Sequence, residues 1–230
     1  MTQTASPEAA AMPWFDLVSL SGDEGRRWRE QYGRFDSVAK GIMGSVPLLR
    51  RGEIDTGARM LKDAREQLSA MDVGDESILS VMERWYLGAL GMYHYRLAEF
   101  DEADRVMARA HEHMVDAVTR RGFLVVLADE AVELRLHRAR ISRNRQRWAE
   151  MWDHISAARA MRAGGEPFYV LRDGRSVWLS DVREFLEALP AAPEQRPVKP
   201  NLQDPTQCRQ DIDRWIRDVL RIPDSVIHAP

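Results

Sequence analysis

The feature that most constrains this chain is a long segment that lacks helix-breaking residues. Between Asp23 and Gly164, Pro47 is the only proline, and Ala, Leu, Met, Arg and Glu, which all favour helices, are abundant. Apolar residues in this segment recur three and four positions apart, a spacing that predicts amphipathic helices rather than strands. One such run is Met60, Leu61, Ala64 and Leu68. The segment therefore predicts a helical bundle or a helical solenoid.

Composition narrows the class of protein further. The chain has 230 residues, enough for one large domain or two small ones, and its 33 basic and 36 acidic residues give a net charge of -3. No overall positive field draws it to nucleic acid. A single cysteine, Cys208, excludes an internal disulfide framework and a cysteine-based zinc site. The first fifteen residues contain no Lys or Arg, and no apolar run is long enough to span a membrane, so we expect a cytoplasmic protein.

Turn signals and local composition divide the chain into five parts. Asp173-Gly174 lies between two runs of aromatic and β-branched residues, which predicts a β-hairpin. The C-terminal amphipathic helix either caps the helical repeats or docks into a partner's groove on its tether. The predicted parts are a disordered tail at 1–13, a helical repeat domain at 14–165, a β-hairpin plus short helix at 166–189, a proline-rich linker at 190–205 and a C-terminal helix at 206–222.

Three segments of the chain repeat one pattern of turn and packing residues. The large residues Ile54, Phe100 and Trp148 follow the predicted turns and lie 46 and 48 residues apart. A small residue before each turn lets two antiparallel helices approach closely, and the large residue after the turn closes their open end. Other equivalent sets are Ser45, Gly91 and Ala139; Leu61, Met107 and Ile155; and Ala64, Ala110 and Ala158.

The pattern resembles the tetratricopeptide repeat. In the second unit, Leu90-Gly91, Phe100-Asp101-Glu102-Ala103 and Ala110 match the family's Leu-Gly pair, its aromatic residue before a small one and its closing alanine. The third unit departs from it with Met151 at the small position, and both spacings exceed the usual repeat of about 34 residues. The resemblance covers residues 37–163. It implies an all-α, right-handed solenoid of antiparallel helical hairpins, here with a small β-hairpin appendage and a tethered C-terminal helix.

The resemblance also implies a function. In this family the first helix of each unit lines a concave groove that binds peptide segments, so we expect an adaptor or regulatory module whose partner is an acidic peptide or protein surface. Arginines would hold the acidic groups and apolar side chains would anchor the peptide, unless these arginines are simply solvated. Self-association through the groove, or its filling by the chain's own tail, are alternatives. The predicted partner-binding residues are Arg50, Met92, Tyr95, Arg96, Leu136, Arg140 and Arg143.

Residues 134–147 form an arginine-rich segment without any acidic residue. Like charges at this density repel one another unless an anion or neighbouring acids neutralise them. One interpretation is a docking surface for phosphate, nucleic acid or an acidic protein. No aromatic residue lies among the arginines, which disfavours binding of single-stranded nucleic acid by base stacking. The other is compensation by acids on neighbouring helices, such as Glu102, Asp104 or Asp129. The arginines are at positions 135, 138, 140, 143, 145 and 147.

Two carboxylate–histidine pairs suggest an enzyme as the alternative function. Glu133 and His137, and likewise Glu150 and His154, are four residues apart on predicted adjacent helices, where they could hold a non-haem metal. Carboxylate-bundle enzymes instead space Glu and His three apart and add further glutamates, and this pattern is missing. No phosphate-binding glycine loop or nucleophile motif is present. We therefore expect no cofactor and no metal, and do not favour an enzyme.

Overall fold

The computed structural model describes the backbone of residues 22–71, 76–121, 124–188 and 205–221. The predicted tail at 1–13 lies outside these residues, and so does the predicted linker at 190–205 except for Pro205, which begins a helix. The described chain is mostly helical and contains one two-stranded antiparallel sheet. The predicted mostly helical class and the small β-hairpin are therefore confirmed.

The helices of residues 22–163 are paired with their neighbours along the chain. The first pair is α1 (Gly22–Arg51) with α2 (Ile54–Ala70), the second α3 (Glu76–Arg96) with α4 (Phe100–Arg121), and the third α5 (Leu124–Asn144) with α6 (Trp148–Ala163). Between pairs, α1 and α2 both pack against α3, and α4 packs against α5. This pairing is compatible with helical-hairpin repeats.

The positions that repeat in the sequence form the contacts within each pair. All nine small and apolar residues that we aligned at these positions are buried. Gly91 shows why one of them has to be small, because a Cβ atom added there would lie 2.6 Å from Cε of Met107. A larger residue at this point would force the Met107 side chain to move, so the close approach of α3 and α4 favours a small residue here.

The three turns between paired helices share one hydrogen-bond pattern. The residues Gly52, Ala98 and Gln146 have left-handed φ angles of 86°, 60° and 60°. In each turn this residue and the next donate backbone N–H groups to the last turn of the preceding helix, which is a Schellman motif. The bonds are Gly52 to Leu49 and Glu53 to Leu48, Ala98 to Tyr95 and Glu99 to His94, and Gln146 to Arg143 and Arg147 to Ser142.

Exchanging glycine and alanine at two of these turns should change stability in opposite directions. A left-handed φ strains any residue with a Cβ, so Gly52→Ala should lower the free energy of unfolding by about 1 kcal/mol. For the same reason Ala98→Gly should raise it by about 0.5–1 kcal/mol. Urea unfolding followed by circular dichroism measures both. A loss of stability in Ala98→Gly would contradict the shared turn geometry.

The β-hairpin packs against the second helical pair. Its strands, β1 (Tyr169–Val170) and β2 (Ser176–Val177), pair with Tyr169 opposite Val177, and Gly174 in the connecting turn has a φ of 83°. The Tyr169 ring is buried and stacks on His111 of α4, with ring centroids 5.5 Å apart. The short helix α7 (Leu179–Ala188) follows and packs on α5 and α6. The hairpin is thus part of the same core as the helices.

The C-terminal helix α8 (Pro205–Asp218) lies against α6. Its apolar side is covered, since Ile212, Ile216 and the following Leu220 are all buried. An ion pair between Arg159 of α6 and Asp213 of α8 lies at the edge of this contact. In the described structure α8 therefore covers α6 rather than presenting a free apolar face.

Candidate functional site

The first helix of each pair ends with basic or polar residues at equivalent positions. Arg50 lies two residues before the left-handed Gly52, at the end of α1. Arg96 lies two residues before the left-handed Ala98, at the end of α3. Asn144 occupies the matching position of α5, where Arg140 and Arg143 lie in the last two turns. Cations are favoured there because the carbonyl end of a helix carries partial negative charge. Local sequence therefore accounts for basic residues at all three helix ends.

Tyr95 lies at the centre of these helix ends. Its hydroxyl oxygen accepts a hydrogen bond of 2.7 Å from Nδ2 of Asn144. The guanidinium carbon of Arg140 lies 5.4 Å from the centroid of the Tyr95 ring, within the range of a cation–π interaction. The same ring packs against Phe100, with centroids 5.7 Å apart. Tyr95 thereby joins the end of α5 to the end of α3.

Arg140 lies within electrostatic range of arginines from α1, α3 and its own helix, and we call Arg50, Arg96, Arg140 and Arg143 the arginine cluster. The pKa of Arg140 is lowered, first because the side chain is partly buried and then by the positive charges of Arg50, Arg96 and Arg143, while Tyr95 acts in the opposite direction. Arg96 also reaches the first turn, because a Cβ atom placed on Gly52 would lie 3.4 Å from its Nη2. Three of the predicted arginines thus lie within electrostatic range of the fourth, Arg140.

The arginine cluster differs from its neighbours in having no carboxylate partner among the described residues. Arg138 pairs with Asp104 at 2.7 Å, Arg145 pairs with Asp101, and Arg147 pairs with Glu150 at 3.5 Å. Compensation by neighbouring acids therefore applies to half of the arginine-rich segment.

Only some of the acids that could neutralise the arginine-rich segment form ion pairs with it. Asp104 contacts both Arg138 and Arg145. Glu102 instead pairs with Arg105 on its own helix. The side chain of Asp129 lies outside the described residues. One face of α5 is therefore neutralised by α4, while the face that carries Arg140 is not.

Two of the predicted partner-binding residues, Met92 and Leu136, contribute mainly to packing. Met92 is only 6% exposed and belongs to the core. Leu136 is partly buried and packs against the core. Tyr95 is partly buried, and Arg50 and Arg96 are exposed. The solvent-accessible residues of the predicted site are therefore mainly its arginines.

The alternative metal site is not assembled. His137 lies near Glu133, Arg84, Arg140 and Arg50, whereas His154 lies near a different set of charges that includes Arg135, 3.5 Å from its Nδ1. Within residues 22–71, 76–121, 124–188 and 205–221, no group of three or more His, Cys, Asp or Glu side chains could hold a metal ion. The two carboxylate–histidine pairs of Glu133 with His137 and Glu150 with His154 therefore do not combine into one site.

Two features of this region were missed by the sequence analysis. Asn144 binds the Tyr95 hydroxyl, and its equivalence to Arg96 at the 48-residue offset was a signal that could have identified it. Arg84 and Glu130 form a partly buried ion pair between α3 and α5, and burial lowers the pKa of Arg84. No sequence signal pointed to that pair. It fixes the position of α5 against α3 beside the arginine cluster.

No protein-family model matches the chain, and no curated protein or solved structure is similar enough to count as a match. Within the described part of the chain, no helix has the length and apolar character that crossing a membrane requires.

Proposed function

We propose that this protein is an interaction module built from tetratricopeptide-like helical hairpins, and that it binds an acidic segment of a partner protein at the arginine cluster. One observation carries the proposal: Arg140 lies over the Tyr95 ring, within electrostatic range of Arg50, Arg96 and Arg143, and none of these four arginines forms an ion pair with a carboxylate of the described residues. Like charges held this close raise the free energy of the unbound protein. An acidic ligand relieves that repulsion and gains charge-assisted hydrogen bonds.

The repeat architecture supports a stack of hairpins with a shared binding face. The three turns have the same backbone geometry at the 46- and 48-residue offsets, and each helical pair packs on the next through α3 or α5. Such a stack would bring equivalent residues of the first helices near one another, and Arg50 and Arg96 are both within electrostatic range of Arg140. We infer that the stack is a short solenoid and that α8 covers its C-terminal end, as exposed repeat ends require.

Direct binding of an acidic peptide tests the proposal. The probe is an acetylated and amidated peptide with four consecutive glutamates, labelled for fluorescence anisotropy at about 0.15 M salt. The double charge reversal Arg96→Glu with Arg140→Glu should weaken its binding about 100-fold or more, since each charged hydrogen-bonding pair contributes about 1.5–3 kcal/mol. Circular dichroism of the variant checks that it remains folded.

A matched control separates the site from net charge. Arg59 and Arg109 are exposed arginines of α2 and α4 that lack a carboxylate partner among the described residues. The variant Arg59→Glu with Arg109→Glu changes the net charge by the same amount and should bind the peptide almost as the unaltered protein does. Equal weakening by both double variants would mean that the peptide senses overall charge, and the proposed site would be wrong.

A further inference from the structure

We propose that the acidic group held by the arginine cluster is a phosphate monoester, carried by a phosphorylated side chain of the partner. This rests on the proposed function and specifies its ligand. The groups that the site offers to a ligand are hydrogen-bond donors: the Arg140 guanidinium and the Tyr95 hydroxyl, with three further arginines within electrostatic range of Arg140. A ligand for such a site has to offer several acceptor oxygens and more than one negative charge at one point.

The number of charges favours phosphate over carboxylate. A single carboxylate carries one charge and two oxygens, which satisfies one arginine fork. A phosphate monoester carries a charge of about -1.5 to -2 and three strong acceptor oxygens, so it can bridge several guanidinium groups at once. Arg50, Arg96 and Arg143 all lie close enough to Arg140 to lower its pKa. Positive charges from three helices therefore act on Arg140, which itself lies over the Tyr95 ring.

The hydrogen bonding of Tyr95 adds a donor that is suited to an anion. The Tyr95 oxygen accepts the N–H of Asn144, so the hydroxyl proton points away from that bond. No described residue accepts this proton. A phosphate oxygen beside Arg140 would accept it, because Arg140 lies over the same ring. Asn144 is then a positioning residue that orients the Tyr95 hydroxyl.

The surroundings of Tyr95 favour a phosphopeptide over single-stranded nucleic acid. Binding of single strands depends on aromatic faces that are free to stack on bases. Arg140 covers the Tyr95 ring and Phe100 packs against it, so this ring is not a free stacking platform. A phosphorylated peptide needs only the donors, and its backbone can follow the helix ends on either side.

Charge-matched peptides test the inference. One peptide carries two adjacent phosphoserines and the other carries four glutamates, which gives them nearly equal charge at neutral pH. We expect the phosphoserine peptide to bind the full chain at least about 10-fold more tightly. The charge-conserving variant Arg140→Lys should remove most of that preference, because a lysine lacks the planar fork. The matched control is Arg138→Lys on the same helix, because Arg138 pairs with Asp104. This variant should keep the preference for the phosphoserine peptide.

Each other outcome has a defined meaning. Equal binding of the two peptides would overturn the phosphate inference and leave the capture of acidic segments standing. Inorganic phosphate that binds as tightly as the phosphoserine peptide would overturn the assignment to a protein partner. Binding of a ten-residue uridine RNA with no binding of either peptide would overturn both this inference and the proposed function. Absence of binding by every probe to the folded protein would do the same.

Discussion

Lowering the pH from about 7 to about 5 is expected to destabilise the folded protein by several kcal/mol. The pKa of His111, His137 and His154 is lowered from 6.5 to about 4 in each case, mainly because burial disfavours the charged imidazolium. The folded protein therefore binds protons at these sites less readily than the unfolded chain does. Stability is constant above pH 6.5 and falls as the pH decreases toward 4, by up to about 2 kcal/mol per histidine at pH 5.

Charged groups around the three histidines act mostly in the same direction as burial. Arg135 and Arg138 lower the pKa of both His111 and His154. Carboxylates oppose the shift only in part. The opposing groups are Glu133 at His137, and Glu150 and Asp104 at His154. Because domains of this size are stable by only about 5–15 kcal/mol, the combined effect should be easy to detect.

Urea unfolding at the two pH values measures this effect. His154→Gln removes one of the titrating groups and should reduce the loss of stability at pH 5 by about one third, since three histidines contribute. The variant Gln67→Ala, at an exposed position of α2, leaves all three in place and should show the same pH dependence as the unaltered protein. An unfolding free energy that does not change between pH 7 and pH 5 would show that these histidines are not buried as neutral groups.

A charge placed under the C-terminal helix is expected to destabilise the protein by about 4 kcal/mol. Ile216 is completely buried between α8 and the rest of the core. Ile216→Asp removes its apolar contact and puts a carboxylate without a partner into that position. The loss of stability has an upper limit, because α8 can detach from the core instead of burying the charge. That limit is the free energy that Ile212, Ile216 and Leu220 contribute by packing on the core. The measurement is again the free energy of unfolding in urea.

The control for this variant adds the same charge on the exposed side of α8. Gln210 is exposed, so Gln210→Asp should change stability by less than about 0.5 kcal/mol. If Ile216→Asp were equally harmless, α8 would not be part of the folded core. The alternative, a tethered helix that docks into a partner's groove, would then be the better interpretation. A large loss in Ile216→Asp alone supports the cap.

The helical pairs could be predicted because their signal is local and repeated. Gly91 and Ala139 are both buried, and a small residue at such a position lets two paired helices approach closely. The β-hairpin was predictable for a similar reason, since Asp173-Gly174 supplies the positive φ that its turn needs. The other turns gave weaker signals. Ala98 and Gln146 adopt left-handed angles without being glycine, so the sequence predicted turns there but not their shared geometry.

The end of α5 lies beyond a residue that disfavours the interior of a helix. Ser142 is such a residue, yet the helix continues to Asn144. Ser142 is completely buried and belongs to the contact surface of α5. Packing of this surface stabilises the helix beyond the point where local propensity favours a turn. The extension places Arg143 and Asn144 on the helix, and with them the hydrogen bond to Tyr95.

The sequence by itself determined the helix pairs, the positions of their turns and the set of arginines near the helix ends, because these follow from periodicity and from small residues within one hairpin. Only the tertiary structure decided which arginines remain without a carboxylate. Arg138 and Arg140 are two residues apart on α5 and therefore point to nearly opposite sides of the helix. Arg138 faces α4 and pairs with Asp104, whereas Arg140 faces Tyr95 and three other arginines. Which side of a helix meets an acid depends on how separate hairpins pack together, and local patterns carry no information on that.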